Sequence, residues 1–172
     1  MNQAADKTIA YSEMDSPIGP LTLAATDEGL CSLVFGKWDQ NQEYLMNWSR
    51  RWFGECSWRH DPESLANAEH QLEEYFAGER KQFELKLDMH GTPFQLQVWQ
   101  ALKTVPFGQT ASYKDIAIAI NSPKAVRAVG GANNRNPVSI IVPCHRVIGA
   151  DGKLIGYGGG LDIKQILLQL ET

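Results

Sequence analysis

The chain has 172 residues, 43% hydrophobic and 21% charged, the balance of a soluble globular protein with enough length for one ordinary domain or two small ones sharing an interface. No apolar run reaches the length a membrane span needs, and Met1 to Lys7 lacks a basic stretch followed by an apolar one, so neither insertion nor export is expected. The net charge of −4 hides a division: Met1 to Gly91 holds 8 Lys/Arg against 16 Asp/Glu, whereas Thr92 to Gly160 holds 7 against 2. A basic segment inside an acidic chain is a fair footprint for nucleic acid. Three cysteines, Cys31, Cys56 and Cys144, are odd in number and widely spaced, which argues against a disulfide framework and fits a reducing cytoplasm.

In the acidic half, Thr8 to Met14, Leu21 to Thr26 and Leu30 to Phe35 read as three short strands of an antiparallel meander, separated by Ser16-Pro-Ile-Gly-Pro20 and Asp27-Glu-Gly29. Cys31, between Leu30 and Leu33, reads as a small core residue. Helices are expected over Glu43 to Phe53 and over Asn67 to Ala77, the second ended by Gly78. Arg80 to Leu87 alternates Phe83, Leu85 and Leu87 with polar residues and predicts a half-buried strand. Cys56, His60, His70 and His90 are of zinc-ligand type, but no Cys-x-x-Cys or close His pair occurs, so no metal site is expected. Asp88-Met-His-Gly-Thr92 is the expected linker, dividing residues 1–88 from 89–172 where the charge reverses.

In the basic half, Thr92-Pro93 is a cap followed by proline at the first helical position, and Phe94, Val98, Ala101, Leu102 and Val105 then form one apolar stripe. Ser112 with Asp115 predicts a second helix to about Ile120, and Ser122-Pro123 a third, carrying Lys124, Arg127, Ala128, Gly130, Gly131 and Ala132. Two short helices across a tight turn suit a helix-turn-helix. Two adjacent glycines in a helix cost about 1 kcal/mol each relative to alanine. Either close packing against a neighbouring helix or a backbone that sits deep in a groove beside phosphates would compensate.

Ser139 to Val142 reads as a short buried strand or extended segment that carries Cys144 inward beside His145 and Arg146. Apolar burial disfavours a thiolate, and a neighbouring imidazole or positive charge reverses that bias. Neighbours in an extended chain point apart, so direct contact between Cys144 and His145 is left open beside action through a water or a local bend. Asp151-Gly152 is a turn, and Gly156-Tyr-Gly-Gly-Gly160 a loop without a phosphate-binding ending or dinucleotide fingerprint. Leu161 to Leu170 closes the chain as a helix with Leu161, Ile166, Leu167 and Leu170 facing the core.

Pro143-Cys-His-Arg-Val147, with Arg127-Ala-Val-Gly-Gly-Ala132 before it and Gly156-Tyr-Gly-Gly-Gly160 after it, closely resembles the O6-alkylguanine-DNA alkyltransferases. The likeness is strong from Thr92 to Glu171 and loose before that. It implies an α+β fold: an N-terminal small antiparallel sheet with helices, ribonuclease H-like, and a C-terminal, mostly helical, winged helix-turn-helix-like domain carrying the active cysteine. It also implies single-turnover transfer of an alkyl group from O6-alkylguanine, and from O4-alkylthymine, in double-stranded DNA to Cys144, without a metal or cofactor. By the same resemblance His145 activates Cys144, Glu171 orients His145, Asn136 ties the site together, and Tyr113 helps rotate the target phosphate and hydrogen-bonds the flipped base. Arg127 is implied to replace the extruded base from a helix in the minor groove, where readout is largely sequence-independent. Lys124, Ala128, Gly130, Gly131 and Arg135 complete the implied DNA surface, and Val142, Tyr157, Gly158 and Gly159 the base pocket. Lys164-Gln165-Ile166 departs from the Lys-Glu-Trp frequent in that family. The expected protein is a cytoplasmic monomer without a regulatory role. Two rivals stand beside this reading: a cysteine hydrolase using Cys144, His145 and Glu171, and a DNA-binding module in which Cys144 is only core.

Overall fold

The computed structural model describes residues 7–172; the leading segment read for a targeting signal lies outside them up to Asp6. Strands β1 (Lys7–Met14), β2 (Leu21–Thr26) and β3 (Gly29–Phe35) form the expected antiparallel meander, with Leu21, Leu23 and Leu33 packed into the main core on one face and Ile9, Ala24 and Cys31 into a smaller cluster on the other. Two elements then begin earlier than read. Helix α1 spans Trp38–Phe53, its first turn set by the Gln40 side chain folding back to accept from Lys37 N. Helix α2 spans Pro62–Phe76, with Pro62 at its first position and Ser64 Oγ donating to Asp61. Between them lies an unforeseen strand, β4 (Cys56–His60), pairing parallel with β1 and giving the order β3-β2-β1-β4.

Arg80 to Leu87 is not a strand. Phe83, Leu85 and Leu87 are half-buried as their alternation required, but the Gln71 amide takes both polar groups of the Glu84 backbone, so no ladder forms there. Only Leu87 bridges, to Leu30 at the β3 edge. Farther along the same edge, Leu33 N donates to Pro137 O at 2.8 Å and Leu33 bridges to Val138. The sheet therefore holds the segment leading to Cys144.

Helix α3 (Pro93–Leu102) starts at Thr92 with the expected cap, its hydroxyl accepting from Gln95 N, and buries Val98, Trp99 and Leu102. Helix α4 (Tyr113–Ala119) is capped by Ser112 and Asp115 as read. Helix α5 spans Val126–Asn134, so the start read at Ser122-Pro123 is displaced: Ala125 N donates to Ser122 O, and Pro123-Lys124 forms a turn before the helix. Trp99 Nε1 donates to Ala132 O, fastening α5 to α3. Two-residue strands β5 (Ala111–Ser112) and β6 (Val147–Ile148) pair in parallel and set the start of α4 beside the end of the Cys144 turn.

Helix α6 spans Leu161–Leu170 as read, but with a different inner face. Leu161 and Ile166 are exposed, and Lys164, Leu167 and Glu171 are buried instead. Those three are spaced at i, i+3 and i+7, one stripe of a helix. The larger apolar core runs from Leu21, Leu23 and Leu72 to Val98, Leu102, Val142 and Leu167.

Candidate active site

Ser139 to Val142 buries Ile140 and Val142, with Ser139 and Ile141 half-buried, but is not extended. Ile140 adopts φ 73°, a left-handed conformation that costs a β-branched residue about 1–3 kcal/mol. Asn136 holds that turn closed: its Oδ1 accepts from Val138 N at 3.0 Å and its Nδ2 donates to Val142 O at 2.7 Å. Val142 N returns to Val138 O, and Cys144 N to Val142 O. The chain then enters a 3-10 turn, Cys144–Arg146, rather than a strand, and no hydrogen bond joins the Cys144 sulfur to the His145 ring directly. Cys144 is 3% exposed and His145 is fully buried.

Glu171, the last buried residue of the chain, is where the turn is tied down. Its Oε2 accepts from His145 Nε2 at 2.7 Å and from Tyr75 Oη at 2.5 Å. Arg146 forks onto the same carboxylate, Nε to Oε1 at 2.8 Å and Nη2 to Oε2 at 3.0 Å, and its Nη1 donates to Val105 O at 2.7 Å. Burial alone would raise the Glu171 pKa, but the hydrogen bonds from His145, Arg146 and Tyr75 hold it down at about 2, so it is a carboxylate. Burial pushes the His145 pKa down, with Arg146 and Lys164 adding to that and Glu171 opposing it. A neutral ring that donates through Nε2 carries its lone pair on Nδ1, and Nδ1 is buried without a hydrogen-bond partner among the described residues.

Burial pushes the Cys144 thiol up, while hydrogen bonds from Asn136 and Ser139 and the Lys164 ammonium work the other way. The cation near the sulfur is Lys164, since Arg146 is spent on Glu171. Lys164 is fully buried and its Nζ donates to Val147 O at 2.6 Å and Ile155 O at 3.0 Å. Because Arg146 and Glu171 cancel, Lys164 leaves this buried group with one surplus positive charge, which favours an anion at Cys144. Sequence reasoning missed Tyr75 and Lys164. The helical spacing of Lys164, Leu167 and Glu171 could have found the second; nothing local points to Tyr75, 96 residues from its partner.

The remaining candidates surround this group. Tyr113 Oη donates to Ile155 O at 2.8 Å, the carbonyl that also takes Lys164. The Tyr157 hydroxyl is buried without a hydrogen-bond partner among the described residues, and burial, then the neighbouring Cys144, pushes its pKa up. Gly159 lies against the Phe35 ring, which a Cβ there would meet at 2.9 Å, and Gly158 is open. Val142 is buried in the core beneath Cys144 rather than exposed to a ligand. On α5, Arg127, Ala128, Gly131 and Arg135 lie on the exposed face, Gly130 is half-buried, and Lys124 stands exposed in the preceding turn. A Cβ at Gly131 would meet nothing within 4 Å, and one at Gly130 only the Tyr113 ring at 3.9 Å. Packing within the chain therefore does not explain the two glycines. Cys31 is core as read, its thiol pushed up to about 12 by burial.

The chain is similar to known proteins along nearly its whole length. Residues 93–172 match a family model described as the DNA binding domain of 6-O-methylguanine DNA methyltransferase, and residues 9–89 match that family's ribonuclease-like domain. A methylated-DNA--protein-cysteine methyltransferase of Methanosarcina acetivorans is 52% identical over 161 residues, 94% of this chain and 97% of the relative. One from Mycolicibacterium paratuberculosis is 51% identical over 163 residues, 95% and 92% of the two chains. The crystal structure of Mycobacterium tuberculosis OGT in complex with DNA superposes with a TM-score of 0.81 at 48% identity, covering 94% of this chain and 92% of that one.

Proposed function

Because the chain belongs to the 6-O-methylguanine DNA methyltransferase family, we propose that it repairs DNA by direct reversal, moving the alkyl group of O6-alkylguanine onto its own Cys144. The observation that carries this reading is a fully buried Cys144–His145 turn with the Glu171 carboxylate 2.7 Å from the imidazole. The thiol proton passes through a bridging water to His145 Nδ1, and Glu171 stabilises the imidazolium that results. Cys144 thiolate attacks the alkyl carbon, the C–O bond breaks with its electrons remaining on the purine oxygen, and the proton held by the imidazolium returns by way of water to the base, giving guanine and a neutral His145. Tyr113 steadies the charge on that oxygen, which requires its hydroxyl to turn from Ile155 O toward the base. O4-alkylthymine presents the same alkyl carbon and leaving oxygen and is the second substrate. A thioether is a poor leaving group, so each molecule acts once. No step calls for a metal or cofactor.

A sulfur 3% exposed cannot reach an atom held inside a base stack, so the alkylated base enters by flipping out of the duplex. Helix α5 supplies the approach. Arg127 and Arg135 bracket a face of small residues whose glycines the chain's own packing does not need, as expected for a backbone that nests in the minor groove with Arg127 in the gap left by the base. Three widely spaced cysteines, one of them reactive, fit the cytoplasm. Every proposed catalytic group comes from one chain, so the protein works as a monomer.

Incubation with duplex DNA containing O6-methylguanine, followed by intact-mass and peptide analysis, is expected to find one added methyl on the peptide holding Cys144 and none on Cys144→Ala, which still binds DNA. Many methyl groups released per molecule, or transfer that survives Cys144→Ala, refutes the reading. Turnover of an ester or amide without transfer from DNA identifies a cysteine hydrolase instead.

A further inference from the structure

Tyr75 belongs to the N-terminal half, yet its hydroxyl reaches a group at the far end of the chain. It donates at 2.5 Å to Glu171 Oε2, the same oxygen that accepts from His145 Nε2. Arg146 Nη2 is a third donor to that atom. An oxygen with two lone-pair directions shares itself among three donors, so each weakens its hold on the others. The Tyr75 ring is 1% exposed and fixed by Phe76 and Phe83, each 5.4 Å away between centroids, and by Phe107 at 6.3 Å. Burial, and then the Glu171 charge, pushes its own pKa up, so it remains a donor at every pH of interest.

We infer that Tyr75 is a positioning residue that drains charge from Glu171 Oε2 and thereby sets how tightly the carboxylate holds the His145 proton. The inference rests on the transferase reading for its kinetic consequence, but the tuning itself belongs to the histidine and exists without substrate. The charged and titratable groups around His145 are Glu171 and Lys164 from α6, Cys144 and Arg146 from its own turn, Tyr75 from α2 and Tyr157 from the glycine-rich loop. Of these, Tyr75 and Tyr157 can each be reduced to a shape-matched apolar residue by deleting one hydroxyl, and of the two only the Tyr75 hydroxyl is hydrogen-bonded to Glu171. The sign follows directly. Without that hydroxyl, Oε2 concentrates more negative charge on His145, the imidazolium becomes more stable, and the ring is available as a base only at higher pH.

Tyr75→Phe is the test, read in two ways. In the transfer assay, the acid limb of the rate against pH moves up by half a unit or more relative to the parent, with undamaged-duplex affinity unchanged. In NMR, the His145 ring nitrogens of the free protein titrate at correspondingly higher pH. Unmoved His145 resonances overturn the inference even if the rate falls, since lost packing alone slows transfer without shifting a titration. Moved resonances in a protein that transfers no alkyl group uphold the tuning and sink the transferase reading instead. If Tyr75→Phe does not fold, Tyr75→3-fluorotyrosine, a stronger donor of the same shape, must shift the His145 resonances in the opposite direction, to lower pH.

Discussion

Gly131→Ala sets stability against DNA binding at a single carbon. Gly131 lies inside α5, on its exposed face, where glycine costs about 1 kcal/mol relative to alanine. A Cβ there meets nothing within 4 Å, so the methyl group displaces no neighbour and the substitution recovers most of that cost. For a chain of this size, 1 kcal/mol corresponds to a rise in Tm of about 2–4 °C. If α5 lies in the minor groove with its backbone against the sugar-phosphate wall, the same methyl overfills a close contact, worth about 1–3 kcal/mol, which is about 5- to 150-fold in affinity. Thermal melts of the free protein and fluorescence anisotropy with an undamaged duplex measure the two effects separately. Gly130→Ala is the partner experiment, its Cβ meeting the Tyr113 ring at an ordinary 3.9 Å. A Gly131→Ala protein that is more stable and binds DNA as the parent does would remove the argument that these glycines exist for a partner's approach.

Glu171→Gln removes the charge that stabilises a protonated His145 and should slow transfer by about 10²–10⁴-fold, the range for a disabled acid–base pair, in a single-turnover assay. Acid should destabilise the parent in two stages seen in melts against pH: below the ordinary histidine range, because buried neutral His145 must gain a proton on unfolding, and then as the pH falls from about 4.5 toward 2, because the depressed Glu171 carboxylate loses the stability it contributes at higher pH. Arg127→Ala should slow transfer from duplex DNA and lower the slope of log affinity against log salt by about one, while leaving reaction with a free O6-alkylguanine base unchanged. Asn136→Ala unties Val138 N–H and Val142 C=O, each at about 1–3 kcal/mol, and should show as a denaturant midpoint well below the parent's together with lost transfer.

Where the sequence was readable, the cause was local. The first three strands follow from short apolar runs closed by turn residues, and α3 and α4 from caps that sit where their side chains reach; α6 spans the residues read, though Leu161 and Ile166, read as inward, are exposed. Where it misled, a distant partner had intervened. Arg80 to Leu87 alternates like a strand, but Gln71, on α2, claims the Glu84 backbone. Ser139 to Val142 is rich in β-branched residues and looks extended, yet Asn136 and the β3 edge bend it so that Ile140 crosses into the left-handed region. The strand at Cys56–His60 carries exposed Ser57, Arg59 and His60 and shows an inward face only through Cys56 and Trp58, too short a pattern to register. For the site, Cys144, His145 and Glu171 were legible through a resemblance, and the positive charge beside the sulfur was assigned to Arg146, the nearer residue in sequence. Folding brings Lys164 there and turns Arg146 toward Glu171.

That exchange of roles bears on why so deeply buried a cysteine can be both quiet and reactive. A thiol in this position is protonated, because burial outweighs its hydrogen bonds, and in that state it is shielded from stray alkylating agents in water. A permanently ionised thiolate would be exposed to the opposite risk. What the fold prepares is the surroundings: Lys164 buried with two carbonyls, Arg146 closed on Glu171, and a neutral imidazole with one nitrogen to spare. Moving one proton from Cys144 to His145 creates a thiolate near an ammonium and an imidazolium on a carboxylate, each new charge meeting a counter-charge already in place. The electrostatic cost of ionisation is thus met in the folded chain before any base arrives, and a flipped base need only bring its alkyl carbon to the sulfur. Alkylation then adds a carbon to a cysteine only 3% exposed, and once the base has left that carbon overfills a packed site at a cost of about 1–3 kcal/mol, so spent protein should melt at a lower temperature than fresh protein in a direct calorimetric comparison.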